Sequence, residues 1–153
     1  MAETRIHPET GKLLTRGVRP MVVRYGSMSR EVELPGWYAD PDDENSIHSG
    51  ADLKAADEAF AELRAAYAAH VREIRKSLNL TQEEAGEVIG GGRRAFQKYE
   101  SGTAPPSDAA VALIEVLARH PEEVERLRAM RRNAGSGRIA KRAGRQRRER
   151  QVA

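Results

Sequence analysis

The chain has no cysteine. Disulfides, thiolate nucleophiles and thiolate zinc ligands are excluded, and any metal site would have to be built from histidine and carboxylates. Aromatic residues are scarce, with two Phe, four Tyr and one Trp among 153 residues, which leaves little material for a deep ligand pocket. There is no run of about 20 apolar residues and no secretory signal, so the expectation is a cytoplasmic protein with no membrane partner. Also missing are the G-x-S-x-G nucleophile elbow, a phosphate-binding loop and paired histidines with carboxylates. The run Gly90, Gly91, Gly92 lacks the Lys and Ser or Thr that would make it a phosphate loop. These gaps weigh against an enzyme, and no cofactor is expected.

What is present is charge, unevenly distributed. Residues 131–153 hold nine Lys or Arg and a single acid, Glu149, leaving 17 basic and 22 acidic residues in the first 130 positions. The net charge of +3 therefore conceals an acidic body and a strongly basic tail. The tail, rich in Gly, Ser and Arg over 132–153, reads as a disordered segment. It can either track phosphates or simply keep the protein soluble.

Residues 1–50 read as a small β-containing unit. Met21–Tyr25 and Arg30–Leu34 are β-branched or alternating runs around Gly26 and Ser27, a hairpin with a loose turn that Pro35-Gly36 should end. Trp37 and Tyr38 follow, and their rings are expected to pin the hairpin on its own core, with anchoring of a partner as the competing use. From Asp52 to about Ser77, Leu53, Ala56, Phe60, Leu63, Tyr67, Val71, Ile74 and Leu78 recur at three- and four-residue steps, the stripe of a long helix. Its first part, 51–66, reads as a connector. The second, from about Tyr67, opens a five-helix domain over 67–131 whose later helices carry Val111, Ile114, Leu117 and Ala118, then Val124, Leu127 and Met130. Spare apolar surface on those helices is a candidate dimer interface, with domain core as the alternative use.

The segment LTQEEAGEVIGGGRRAFQKYESGTAPPS, Leu80 to Ser107, carries the function. Thr81 and Glu84 form a T-x-x-E capping box that starts a helix at Gln82. Gly90 to Gly92 break it. A second helix, from about Gly92 to Glu100, is expected to present Arg93, Arg94, Gln97 and Lys98 outward, with Ala95, Phe96 and Tyr99 available to pack inward. Arginine and lysine donate to guanine O6 and N7, and glutamine pairs with adenine, so these four are the candidate base-contacting residues. Thr81, Gln82, Tyr99, Ser101 and Thr103 are the candidate phosphate contacts.

The string T-Q-x-x-A followed by F-x-x-Y-E-x-G resembles the helix-turn-helix of the Cro/C1 repressor class. The form G-G-G-x-x-A-F-x-x-Y-E-x-G is most similar to the MqsA family of antitoxins, and similarity extends over roughly Tyr67 to Leu127. The resemblance implies a mainly α fold: a five-helix Cro/C1-type helix-turn-helix domain preceded by a small β-hairpin unit and a long connecting helix. It also implies a homodimeric repressor on double-stranded DNA, at a palindromic operator in its own promoter, that neutralises a ribonuclease toxin. Carried over by position, the family's base-reading asparagine falls on Arg94 and its base-reading arginine on Lys98. Family members also hold zinc through two C-x-x-C pairs, whose positions fall here on His7 and Thr10, then Ala39 and Asp42. With those ligands replaced, no metal is expected, and a stand-alone regulator without a toxin remains the alternative reading.

Overall fold

The structure is a computed structural model of the 153-residue chain and describes residues 1–135. Most of the basic tail expected over 132–153 lies outside the described residues; its first four residues continue a helix. The chain forms two compact units, residues 1–67 and residues from 68 onward. Among the described residues there are five helices and one four-stranded antiparallel sheet, so the chain is mainly helical with an N-terminal β unit.

In the first unit the strands run in sequence order: β1 (Thr4–Ile6), β2 (Leu13–Tyr25), β3 (Met28–Tyr38) and β4 (Ser46–Ile47). The hairpin is longer than the sequence suggested. Tyr25 pairs with Met28 across a tight two-residue turn, and the ladder continues without a slip to Thr15 opposite Tyr38. Pro35-Gly36 does not end β3, and Pro20 lies within β2. The register explains why. Counting from the hydrogen-bonded pair that flanks a two-residue turn, the pairs Pro20↔Glu33 and Val18↔Pro35 fall at non-hydrogen-bonded positions. Each ring nitrogen therefore points to an outer edge, where no ladder bond is lost. The turn itself depends on Gly26, whose φ of 58° is left-handed and where a Cβ would fall 2.4 Å from the Tyr67 ring.

The hairpin lies against the first part of α1 (Gly50–Ser77). Tyr25 meets Phe60 edge-on at 5.5 Å between ring centres and Tyr67 at 5.9 Å. Leu14, Val23, Tyr25 and Tyr38 are buried with Ala56, Ala59 and Leu63. The expected helical stripe is buried at Ala56, Leu63, Tyr67, Val71, Ile74 and Leu78 and shifts only near its start. Leu53 and Phe60 lie on the exposed side, and Asp52, Ala56, Ala59 and Leu63 lie inward, because a straight helix at 3.6 residues per turn drifts across a fixed three-four pattern.

Asp52 is the one charged residue that is buried as a whole among the described residues. Its carboxylate accepts from both terminal nitrogens of Arg16 on β2, at 3.0 and 2.5 Å, and from the Ser49 amide at 2.8 Å. The Ser49 hydroxyl accepts from the Asp52 amide in return. One acid therefore caps α1 and ties it to the sheet, and these bonds hold its pKa well below the usual carboxylate range.

In the second unit the rest of α1 supports α2 (Gln82–Ile89), α3 (Ala95–Ser101) and α4 (Asp108–Arg119). A fifth helix, α5, runs over 123–135, where the described residues end. Val71, Ile74, Leu78, Leu80, Ala85, Val88, Ile89, Phe96, Ile114, Leu117 and Val124 are buried. α1 is one uninterrupted helix, with no break at the expected junction of 66 and 67. Ser107 caps α4 by accepting from the Ala110 amide. The buried face of α4 is Ala110, Ile114 and Leu117, while Ala118, expected inward, is exposed.

Candidate nucleic-acid interface

α2 begins as its sequence dictates. The Thr81 hydroxyl oxygen accepts from the Glu84 amide at 3.1 Å and the Glu84 carboxylate accepts from the Thr81 amide at 2.8 Å, a complete capping box. The bond from the Thr81 amide lowers the Glu84 pKa. Ala85, Gly86, Val88 and Ile89 are buried, so α2 enters the core along one stripe.

The turn after it uses three consecutive glycines at φ 125°, 92° and 91°, a backbone course that L side chains rarely adopt. It also folds back tightly. A Cβ on Gly86 would lie 2.1 Å from the Gly92 carbonyl oxygen, and one on Gly91 would lie 2.7 Å from the Tyr99 hydroxyl. Glycine is required at Gly86 for close approach and in the turn for conformation.

This turn corrects the expected start of the second helix. Arg93 and Arg94 lie in the connection, not on α3: Arg94 is the N-cap residue, with φ −101° and ψ 1°, and the helix starts at Ala95. The Gly92 carbonyl accepts from the Ala95 amide, closing a turn where helix was expected. Ala95 and Phe96 still face inward, and Arg93, Arg94, Gln97 and Lys98 are all exposed. On α3 itself, Gln97 and Ser101 are four residues apart and Lys98 and Ser101 three, so these side chains are neighbours on one side of the helix. Arg93 pairs with Glu83 on α2. α3 ends at Gly102, in the left-handed conformation, whose amide donates to the Lys98 and Tyr99 carbonyls.

Several of the expected phosphate contacts are already engaged within the protein. One amide hydrogen of Gln82 goes to Glu100 at 2.5 Å, leaving the second for another acceptor. The hydroxyls of Ser101 and Thr103 are 2.7 Å apart, with Ser101 also donating to the Lys98 carbonyl. Tyr99 is half-buried, its ring meeting Phe96 edge-on at 5.4 Å.

Sequence reading missed Glu100 and Arg75. The Glu100 carboxylate accepts from Arg75 Nε and Nη2 and from Gln82, while Arg75 Nη1 donates to the Leu80 carbonyl at 2.9 Å. The two charged side chains are 13% and 6% exposed, so the pair is a cross-brace between the end of α1, the start of α2 and the end of α3. Its sequence signal was a Glu in Y-E-x-G, read as part of a motif, and an Arg 25 residues earlier.

Arg131, counted with the basic tail from sequence, also belongs to the folded unit. It lies on α5 and donates to the Val88 and Ile89 carbonyls at 3.3 and 3.1 Å. Beyond these contacts, α4 and α5 border a largely apolar groove lined by Leu113, Val116, Leu117, Leu127 and Met130 with His120, Glu123 and Arg126, and Val116 and Met130 are at least half exposed.

The positions that the resemblance matches to zinc ligands do not fit a metal. His7 Nδ1 accepts from the Glu9 and Thr10 amides at 3.1 and 3.2 Å, and Ala39 has no ligating atom. Thr10 offers only a hydroxyl. His48 is engaged at both ring nitrogens, with the Pro35 carbonyl and the Ser46 hydroxyl. No cluster of three His, Asp or Glu able to hold a metal occurs among the described residues. Instead the Lys12 ammonium pairs with Asp43, which also accepts from the Asn45 amide, and Lys12 first and then Asn45 lower the Asp43 pKa to about 2. Trp37 is neither buried nor bare: Arg5 and Arg16 lie over its ring at 5.2 and 5.6 Å.

No helix among the described residues is long and apolar enough to cross a membrane. The chain is 46% identical over 56 residues to the antitoxin MqsA of Escherichia coli (strain K12), an alignment covering 37% of this chain and 43% of that protein. A family model described as the antitoxin component of a bacterial toxin-antitoxin system, MqsA, matches residues 39–128. A family of antitoxin components is regulatory, not enzymatic. Since that match takes in more than half of the chain, including both helices around the glycine turn, the protein belongs to the MqsA antitoxin family.

Proposed function

We propose that the protein is a sequence-specific DNA-binding repressor and the antitoxin of a toxin-antitoxin pair, acting on the promoter of its own operon. The observation that carries the DNA reading is the exposed set Arg93, Arg94, Gln97 and Lys98 on and before α3, a helix braced at its end by Glu100 on Arg75 and Gln82. A cationic row on a rigid support can enter a major groove with its donors already placed. Arg94 and Lys98 read guanine in this account, Arg94 with two donors and Lys98 as a point charge. Thr81, Gln82, Tyr99, Ser101 and Thr103 meet phosphates on either side.

Binding is by a homodimer on a palindromic operator. The apolar groove between α4 and α5 supports this, because two copies would cover Val116 and Met130. The toxin partner is inherited from family membership. A second reading, a regulator without a toxin, is favoured by the replaced residues at His7, Thr10, Ala39 and Asp42. A small basic reading frame beside the gene separates the two.

Footprinting of the full chain on its own promoter across a salt series tests the DNA reading. Protection of a palindrome at moderate salt is expected. Uniform coating that vanishes steeply with salt would mean that binding is driven by non-specific charge, above all the basic tail.

A further inference from the structure

The glycine turn raises a question about α2 that its own sequence does not answer. A helix ends with carbonyls that lack an intrahelical partner, and a C-terminal glycine commonly serves them by folding its following amides back. Here only the Gly90 amide does so, to the Gly86 carbonyl. Gly90, at φ 125° and ψ 175°, leaves the helix in an extended direction. Arg131 supplies donors to the last two carbonyls instead, Val88 through Nε and Ile89 through Nη2, and a Cβ on Gly90 would sit 3.5 Å from that same Nη2. The guanidinium is thus packed against the point where the chain leaves α2.

We propose that Arg131 is a positioning residue for DNA reading: it clamps the end of α2 from α5 and so fixes the glycine turn that places Arg93 and Arg94. This rests on the DNA-binding reading and adds a residue to it. Three glycines have wide backbone freedom, yet the two arginines after them must be held to a fraction of an ångström to discriminate bases. The turn cannot supply that rigidity from its own sequence, whereas a planar fork held on a helix can. Arg131 therefore acts through the turn, not on phosphate, although it begins the run of basic residues.

Arg131→Met and Arg131→Lys in the full chain test this, by amide exchange and by affinity for operator and random DNA across a salt series. Faster exchange at Gly90 to Gly92 in Arg131→Met, partly restored in Arg131→Lys, is expected. So is a roughly two- to thirtyfold fall in the operator-to-random affinity ratio for Arg131→Met, with an unchanged salt slope. Unchanged exchange overturns the clamp. An equal loss on both DNAs, with the slope reduced by about 1, overturns it in favour of a phosphate contact, and an unchanged ratio reduces Arg131 to a stabilising cap. If the wild-type chain does not prefer an operator at all, the DNA-binding reading fails, and the exchange experiment still decides whether Arg131 holds the turn.

Discussion

The two units of this molecule use charge in different ways. Among the described residues of the helical unit, Arg75–Glu100 is held almost out of water on both sides, and Arg93, Arg94 and Lys98 stand exposed. The sheet unit buries one carboxylate, Asp52, against a partly exposed Arg16, and sets Lys12 on Asp43 and Arg30 on Glu62 nearer the surface. In the first, a buried charge network fixes where exposed side chains stand. In the second, ion pairs and arginine–aromatic contacts hold a small sheet whose core amounts to a few side chains. The family match crosses this division: it begins at residue 39, after the hairpin, and takes in the rest of the first unit as well as the second as far as residue 128.

The contrast breaks most visibly at Gly86. Gly86→Ala would press a methyl group into the Gly92 carbonyl, where backbone and not a flexible side chain must yield. We expect a loss of about 3 kcal/mol or more in the helical unit by denaturant unfolding, larger than the usual cost of overpacking. Exchange protection in the β2–β3 hairpin should persist.

Glu100→Ala comes next. It leaves the Arg75 guanidinium bonded to the Leu80 carbonyl and removes the acceptor of the Gln82 amide. A loss of about 2 to 4 kcal/mol is expected by the same measurement, and Glu100→Gln, which keeps the shape and part of the bonding, should lose less. Equal losses would mean that the charge is not what braces the helices.

Acid acts on both units in the same direction, through Asp43 and Asp52 in the sheet unit and Glu84 in the helical unit. Asp43 titrates from an ordinary value of 3.8 down to about 2 on folding. A lowered folded-state pKa gives stability that is present above pH 4 and lost as pH falls toward 2; Asp52, also lowered, adds in the same direction. Signals from the hairpin should therefore weaken as pH falls through that window, and Asp43→Asn should flatten the response. The smallest effect is expected from a metal chelator: the melting temperature should not move, because no cluster of three His, Asp or Glu able to hold a metal occurs among the described residues. A drop on chelation would show that the sheet unit has a metal its side chains do not suggest.

How much of this could be read from sequence depended on how local each cause was. The capping box at Thr81 and Glu84 and the glycine turn are set within a few residues, and both stand where local chemistry placed them. The second β strand was cut short because Pro35-Gly36 looks like a strand end until the register shows the proline nitrogen facing outward. Arg93 and Arg94 were placed on the helix because periodicity cannot tell the last turn residue from the first helical one. Glu100, Arg75 and Arg131 were out of reach. Their roles come from partners 18 to 43 residues away, which no local pattern records.

The central claim, that the row on and before α3 reads a sequence, is tested most directly by Arg94→Ala and Lys98→Ala on the footprinted promoter fragment and on a shuffled fragment at matched salt. Each substitution should cost about 1 to 3 kcal/mol on the promoter and leave most of the binding to shuffled DNA in place. Equal losses on both fragments would contradict the claim and reduce these side chains to non-specific charge.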